Sequence, residues 1–178
     1  MEKIMVIGVS AGVGKSTFAR KLSTILQIEA YHLDTLFWEP NWVEASIEIF
    51  SRRQKEIVKK TEWIIEGNYS KTFDLREEFA DTIIYLELPL SVCLSRVLKR
   101  WLINIGKERP DRASGCEEKM DFTFLKFIYR TYYQRKKTLA VRLQDLKGSK
   151  NIVILRNNKE VEQYLKEMFM LKSTNNRR

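Results

Sequence analysis

The sequence predicts an α/β fold in which a parallel sheet is covered by helices on both faces. Two observations predict it. Five short apolar runs alternate with segments of helical periodicity along 178 residues, the pattern of a sheet built by crossovers. The first run opens directly into a glycine-rich loop and then a helix. Ligands of such sheets bind beyond the carboxyl ends of the strands, where that loop lies.

Taken in order, Ile4 to Gly8 reads as a buried strand. A helix follows from about Lys15 to Leu26, with Phe18, Ala19, Leu22, Ile25 and Leu26 at helical spacing. Ile28 to Tyr31 is the second strand. Val43 to Lys60 has a helical pattern, with Val43, Ile47, Phe50 and Ile57 on one side and charges between. Trp63-Ile64-Ile65 is the third strand, ended by Glu66-Gly67-Asn68, and Leu75 to Phe79 belongs to a short helix. Thr82 to Leu88 is the fourth strand, stopped by Pro89, and Ser91 is the candidate cap of a helix running to about Ile105. Gly106 to Gly115 reads as a loop. Phe122 to Leu146 is a long helical stretch rich in aromatics and Arg/Lys. Asn151 to Leu155 is the fifth strand and Glu160 to Met168 the last helix; the polar tail from Ser173 to Arg178 is expected to fray.

The length suits one compact domain, 1–178, with a sizeable core. A content of 44% hydrophobic and 31% charged residues is globular. No apolar run approaches a membrane span, and Ile4 to Val9 is too short for a signal-peptide core, so a cytoplasmic address is expected. Cys93 and Cys116 are expected as free thiols. Neither has a second cysteine or a histidine at metal-ligand spacing, and His32 is the one histidine, which argues against zinc. The net charge is +9, and its excess sits in one segment: Arg96 to Arg142 carries 13 Lys/Arg against 5 Asp/Glu, a net of +8. Such a block suits a polyanion, either nucleic acid or nucleotide phosphates, or else a solvated helical face.

The chemistry is concentrated in the loop from Gly8 to Thr17. Gly12 and Gly14 let the backbone turn sharply beside an anion. The amides from Gly12 through Val13 and onward would form an anion-binding nest, reinforced by the N-terminus of the following helix. Lys15 is placed to reach β- and γ-phosphates, Ser16 to ligate Mg²⁺, and Thr17 to add an α-phosphate contact. The usual spacing is Gly, four residues, Gly-Lys-Ser/Thr; here Gly8 stands one residue early. The Gly-x-Gly-Lys-Ser-Thr half is intact and lies between a strand and a helix, the context that gives the motif its meaning. ATP with Mg²⁺ is the expected cofactor.

Other candidates follow from position. Glu66 ends the third strand at the same sheet edge and suits a Mg²⁺-bound water or a substrate hydroxyl. Asp34 follows the second strand and suits orienting an acceptor hydroxyl, or capping a helix; His32 beside it suits helping there, or packing. Phe37, Trp38 and Trp42 suit stacking on a planar substrate or forming a packing cluster. Arg96 and Arg100 share a helix face. Arg109 and Arg112 follow in a loop, and Arg130 and Arg135 on the next helix. Such arginines would contact phosphate and neutralise charge developing in phosphoryl transfer as a lid closes.

Ile7 to Thr17, Tyr31-His32-Leu33-Asp34 with Leu36-Phe37-Trp38, Trp63 to Tyr69, Ala80 to Pro89 and Arg96 to Trp101 together resemble the adenylate-kinase-like P-loop kinases. Within these, they are most similar to the bacterial DNA topology modulation proteins of the FlaR type. The resemblance covers most of the chain. It implies a three-layer P-loop NTPase fold with a five-stranded parallel sheet in order 2-3-1-4-5, an acceptor-binding segment at about 34–60 and a helical lid at about 101–137. It places Glu66-Gly67 where nucleoside monophosphate kinases have Asp-Gly, Arg96 and Arg100 at the approach to the lid, and Asn157 to Lys159 near the adenine. One departure is plain: the Phe-Pro-Arg after Asp-Gly in adenylate kinases is Asn68-Tyr69-Ser70 here, so AMP is not carried over as acceptor.

Three functions are compatible with these residues. One is an ATP-dependent kinase acting on a nucleotide, nucleoside or other small hydroxyl compound. The second is a DNA-binding protein that uses nucleotide as a switch or as an ATPase, and the third is a nucleotide-binding protein with little turnover. No helix-turn-helix or zinc signature supports the second, and the first is the expectation.

Overall fold

The computed structural model describes residues 1–104, 115 and 121–175. In chain order the strands are β1 (Lys3–Gly8), β2 (Ala30–His32), β3 (Trp38–Glu39), β4 (Val43–Glu44), β5 (Trp63–Glu66), β6 (Thr82–Leu86) and β7 (Asn151–Leu155). The helices are α1 (Lys15–Leu26), α2 (Leu33–Phe37), α3 (Ile47–Val58), α4 (Phe73–Phe79), α5 (Leu90–Asn104), α6 (Phe122–Leu146) and α7 (Asn158–Asn175). Five strands form one parallel sheet in the order β2-β5-β1-β6-β7, and β3 pairs antiparallel with β4 as a separate hairpin. Counted within the large sheet alone, that order is 2-3-1-4-5, as the family resemblance implies.

The core begins with β1. Ile4, Met5, Val6 and Ile7 are all 0% exposed, so successive side chains on both faces of the strand are covered. β1 lies between β5 and β6, with Ile4 opposite Ile64 on one side and Thr82 on the other. Helix α1 packs on α7 and β5, while α4 packs on β1 and α3. Tyr132 and Leu143 anchor α6 to the main core, and Val97, Trp101 and Ile128 form a smaller cluster between α5 and α6. Tyr132 also donates its hydroxyl to Leu88 O at 2.9 Å. Among the described residues, no helix is long and apolar enough to cross a membrane.

Four boundaries differ from the sequence reading. The second strand is Ala30–His32 rather than Ile28 to Tyr31, because Ile28 is spent covering the core beside α1. The segment from Val43 opens with the hairpin strand β4. Helix α3 begins only after Ser46, whose hydroxyl accepts from Ile49 N. Ser91 does not cap α5: the helix starts at Leu90, and Cys93 N already donates to Pro89 O. Finally, α7 starts at Asn158 and continues to Asn175, through the beginning of the expected tail.

Candidate phosphate-binding site

The carboxyl end of β1 runs into residues 9–14, and the chain enters α1 at Lys15. Gly12 has φ 77°, and a Cβ there would lie 2.2 Å from Cys93 O. The loop therefore turns left-handed while pressed against α5, and only glycine fits. Gly14 is the left-handed N-cap of α1 at φ 103°. Gly8 is required for space: its Cβ would meet Val13 Cγ1 at 2.5 Å and the Lys15 stem at 3.0 Å. The displaced glycine thus forms the floor on which the far end of the loop rests.

The start of α1 and the ends of two strands bring polar groups together at this edge. The Lys15 ammonium lies 3.8 Å from Glu66 Oε1 at the end of β5. The other oxygen, Glu66 Oε2, lies 2.9 Å from His32 Nδ1 at the end of β2. The register aligns His32 with Glu66 and Glu66 with Val6, so the pairing follows from the sheet itself. Glu66 is only 5% exposed; a carboxylate so placed needs the cation and the imidazole to offset its desolvation.

Just beyond, Tyr69 donates its hydroxyl to Asp34 Oδ1 at 2.7 Å. The tyrosine ring sits 4.9 Å from both Phe37 and Phe50, and Phe37 lies edge-on to Trp38, which meets Trp42. The aromatic residues after Asp34 thus pack on one another and brace its partner Tyr69. Trp42 and Asn41 both adopt positive φ at the hairpin tip, an uncommon conformation for a bulky residue.

A cavity of about 510 Å³ opens on the other side of the loop, lined by Gly12, Gly14, Thr17 and Lys21, by Arg96 and Arg100 of α5, and by Asn158 and Glu162 of α7. Arg96 spans it: Nη1 donates to Val13 O at 2.8 Å and Nη2 to Asn158 Oδ1 at 2.8 Å. Beneath the loop, burial pushes the Cys93 thiol up to about 11, against the pull of Lys15 and Arg96. That thiol stays neutral and packs as an apolar group.

The structure gathers Gly12, Val13, Gly14, Lys15, Ser16 and Thr17 with Glu66, Asp34, Arg96 and Arg100 along one edge of the sheet. It does not gather the rest. Asn157 is turned to capping α7: its Oδ1 accepts from Glu160 N and its Nδ2 donates to Glu160 Oε1. The residue that lines the cavity is its neighbour Asn158, and Asn157 is not among the lining residues. Arg130 is exposed on α6. Arg135 lies 4.8 Å over the ring of Phe127, and burial lowers its pKa. Neither lines the cavity. Arg109, Arg112 and Cys116 lie outside the described residues. Other cations of the basic block serve the fold: Lys136 pairs with Glu87, and Arg142 pairs with Asp74 and Glu77 while lying on the Phe73 ring.

The sequence reading missed Arg76. It is 0% exposed and donates to Gly67 O (2.8 Å), Asn68 O (3.2 Å), Tyr69 O (3.0 Å) and Thr72 O (3.3 Å). Burial and the nearby charge of Arg142 bring its pKa down to about 9, with Glu66 and Tyr69 pulling the other way. It remains a cation at neutral pH. No pattern in a seven-residue helix distinguishes this arginine from a solvated one.

No protein-family model matches the chain. In sequence it is similar to YqaC, an uncharacterized protein of Bacillus subtilis (strain 168), at 27% identity over 129 residues, 71% of this chain and 70% of that protein. In structure it is similar to shikimate kinase from Aquifex aeolicus vf5 at TM-score 0.56 and 18% identity, covering 97% of this chain and 96% of the other. A second likeness is shikimate kinase from Acinetobacter baumannii, solved with shikimate, at TM-score 0.54 and 16% identity, covering 98% and 94%. A third is a gluconokinase from Sinorhizobium meliloti 1021 at TM-score 0.55 and 15% identity, covering 97% and 92%. The fold is the P-loop kinase fold. At these identities the likeness extends to the fold and no further.

Proposed function

We propose that this chain is an ATP-dependent kinase that transfers the γ-phosphoryl group to a hydroxyl of a small acceptor. The observation that carries this reading is the convergence of Lys15, Glu66 and His32 at one strand edge, with Asp34 and Tyr69 beside them. A glycine-floored loop and a lysine suit the β- and γ-phosphates. Arg96 reaches the same loop from α5, Arg100 lines the cavity beside it, and both suit the remaining phosphate charge. The cavity between α1, α5 and α7 suits the nucleoside, with Asn158 at its rim.

The donor set fits Mg²⁺: Ser16 is a half-buried hydroxyl in the first turn of α1, and Glu66 is a carboxylate fixed by His32 with one oxygen toward Lys15. Ser16 would hold the ion directly and Glu66 through water. When bound, Mg²⁺ supplies charge neutralisation between the phosphates. Asp34 accepts a hydrogen bond from Tyr69, and its carboxylate suits accepting from an acceptor hydroxyl and orienting it toward the γ-phosphorus. Residues of about 34–60 form the acceptor-binding segment. The segments around Asp34 and Glu66 support a place beside the FlaR-type proteins within this fold, and the kinase fold of the relatives supports the reaction type.

The test is acceptor-stimulated ADP release, screened over nucleosides, nucleotides and sugars. Lys15→Ala is expected to abolish turnover. Asp34→Asn is expected to reduce transfer more than ATP binding. Unchanged transfer in the Asp34 variant would remove that residue from the mechanism, and no stimulation by any hydroxyl compound would remove the kinase reading.

A further inference from the structure

We propose that Asn68 is a positioning residue for the phosphate-binding loop: its side-chain amide holds the main chain of Gly8 and so sets where the following amides and Lys15 stand. This rests on the kinase reading and deepens it.

The argument starts where the sheet runs out. β5 ends at Glu66. Gly67 N still donates to Val6 O at 3.1 Å, but Gly67 has φ 145° and gives its own carbonyl to Arg76. The β5 backbone has left the ladder one residue before Gly8 needs a neighbour. Asn68 takes over. Its Oδ1 accepts from Gly8 N at 2.9 Å, and its Nδ2 donates to Gly8 O at 2.7 Å. Two bonds of opposite sense to one residue are what a neighbouring peptide group would supply, and an amide side chain can imitate them. Aspartate could accept from Gly8 N but could not donate to Gly8 O.

Gly8 is the residue where such a clamp matters. Val13 and the Lys15 stem occupy the space that a Cβ on Gly8 would need, so a shift of Gly8 toward that side is passed to both. Asn68 is itself held from behind by Arg76 at its carbonyl. Its side chain is half-buried rather than part of the core, so core packing does not account for its orientation. A glycine one residue early in the motif has lost the usual spacing. The clamp gives that glycine a fixed place.

The test uses ¹⁵N-labelled full-length chain, Mg-ADP as probe, and the variants Asn68→Ala and Asn68→Gln. In Asn68→Ala the Gly8 amide resonance is expected to move and exchange faster. Mg-ADP affinity is expected to fall about tenfold by calorimetry, with the melting temperature changed by only a few degrees. Asn68→Gln carries the same amide one methylene too far and keeps the site polar; it is expected to show the same loss in smaller size, and it serves should the alanine variant fold poorly. Mg-ADP affinity within twofold of the unsubstituted chain in a folded variant whose Gly8 resonance has moved overturns the proposal. If the unsubstituted chain takes up no Mg-ADP, the kinase reading falls with it; if it does and the variants match, only the role of Asn68 falls.

Discussion

Replacing Arg76 with methionine roughly conserves volume in a site that is 0% exposed but removes every donor of the guanidinium. Four hydrogen bonds go, to the carbonyls of Gly67, Asn68, Tyr69 and Thr72. Bonds from a charged donor contribute roughly 1.5–3 kcal/mol each, a gross of about 6–12 kcal/mol. Burying the cation opposes this by several kcal/mol, and the pKa lowered to about 9 reports the same penalty. Arg76→Met relieves that penalty while taking the guanidinium away from all four carbonyls, of which Tyr69 O keeps the Thr72 amide and hydroxyl as donors. The balance is a loss of about 3–5 kcal/mol, which for a chain of this size lowers the melting temperature by about 10 °C. Urea unfolding followed by circular dichroism, with a calorimetric scan beside it, measures both. A methionine variant within about 1 kcal/mol of the unsubstituted chain would show that the loop after β5 is held by something else.

Gly12→Ala combines a left-handed residue with a Cβ 2.2 Å from Cys93 O; it is expected to destabilise by about 3 kcal/mol or more in urea unfolding. Tyr69→Phe removes the bond to Asp34 but leaves the ring between Phe37 and Phe50. Stability is expected to stay within about 1 kcal/mol, Mg-ADP affinity to hold, and acceptor-stimulated ADP release to fall. Asp81 is partly buried, which alone would raise its pKa, but amide donors from Glu2 and Lys3 and the Thr82 hydroxyl outweigh burial and leave it below the ordinary 3.8. A depressed carboxylate stabilises the fold above its unfolded pKa and loses that contribution as pH falls through the folded value. Asp81→Asn is therefore expected to lose about 1 kcal/mol at pH 7, with the gap to the unsubstituted chain closing below pH 3.8.

The legible parts were those whose cause is local. β1, the glycine loop and α1 follow one another within 26 residues, and their apolar spacing alone defines them. The hairpin of β3 and β4 was not legible, because Val43 happens to fall on the same helical stripe as Ile47 and Phe50. The left-handed Asn41 and Trp42 that force the reversal carry no glycine to announce it. Ser46 was a readable cap and was passed over. Asn157 and Asn158 differ by 100° around a helix start, so one caps and the other faces the cavity; sequence gave no means to separate them. Asn68 acts on a residue 60 positions away, and only the parallel pairing of β1 with β5 brings them together.

That pairing has a consequence for how the site works. Glu66, Asn68 and Tyr69 lie within four consecutive residues, yet they meet Lys15, Gly8 and Asp34 respectively. On the kinase reading, the donor loop and the acceptor carboxylate are therefore fixed by one short segment, and Arg76 fixes that segment from beneath. Separate supports would let each side be disturbed alone. A shared support makes disturbances communicate: Asn68→Ala and Tyr69→Phe act on one strip of backbone, and residues with a common partner do not add independently. Their combined effect on transfer should depart from the sum of the single effects as long as Arg76 is present, and approach additivity in an Arg76→Met background, where the strip no longer moves as a unit.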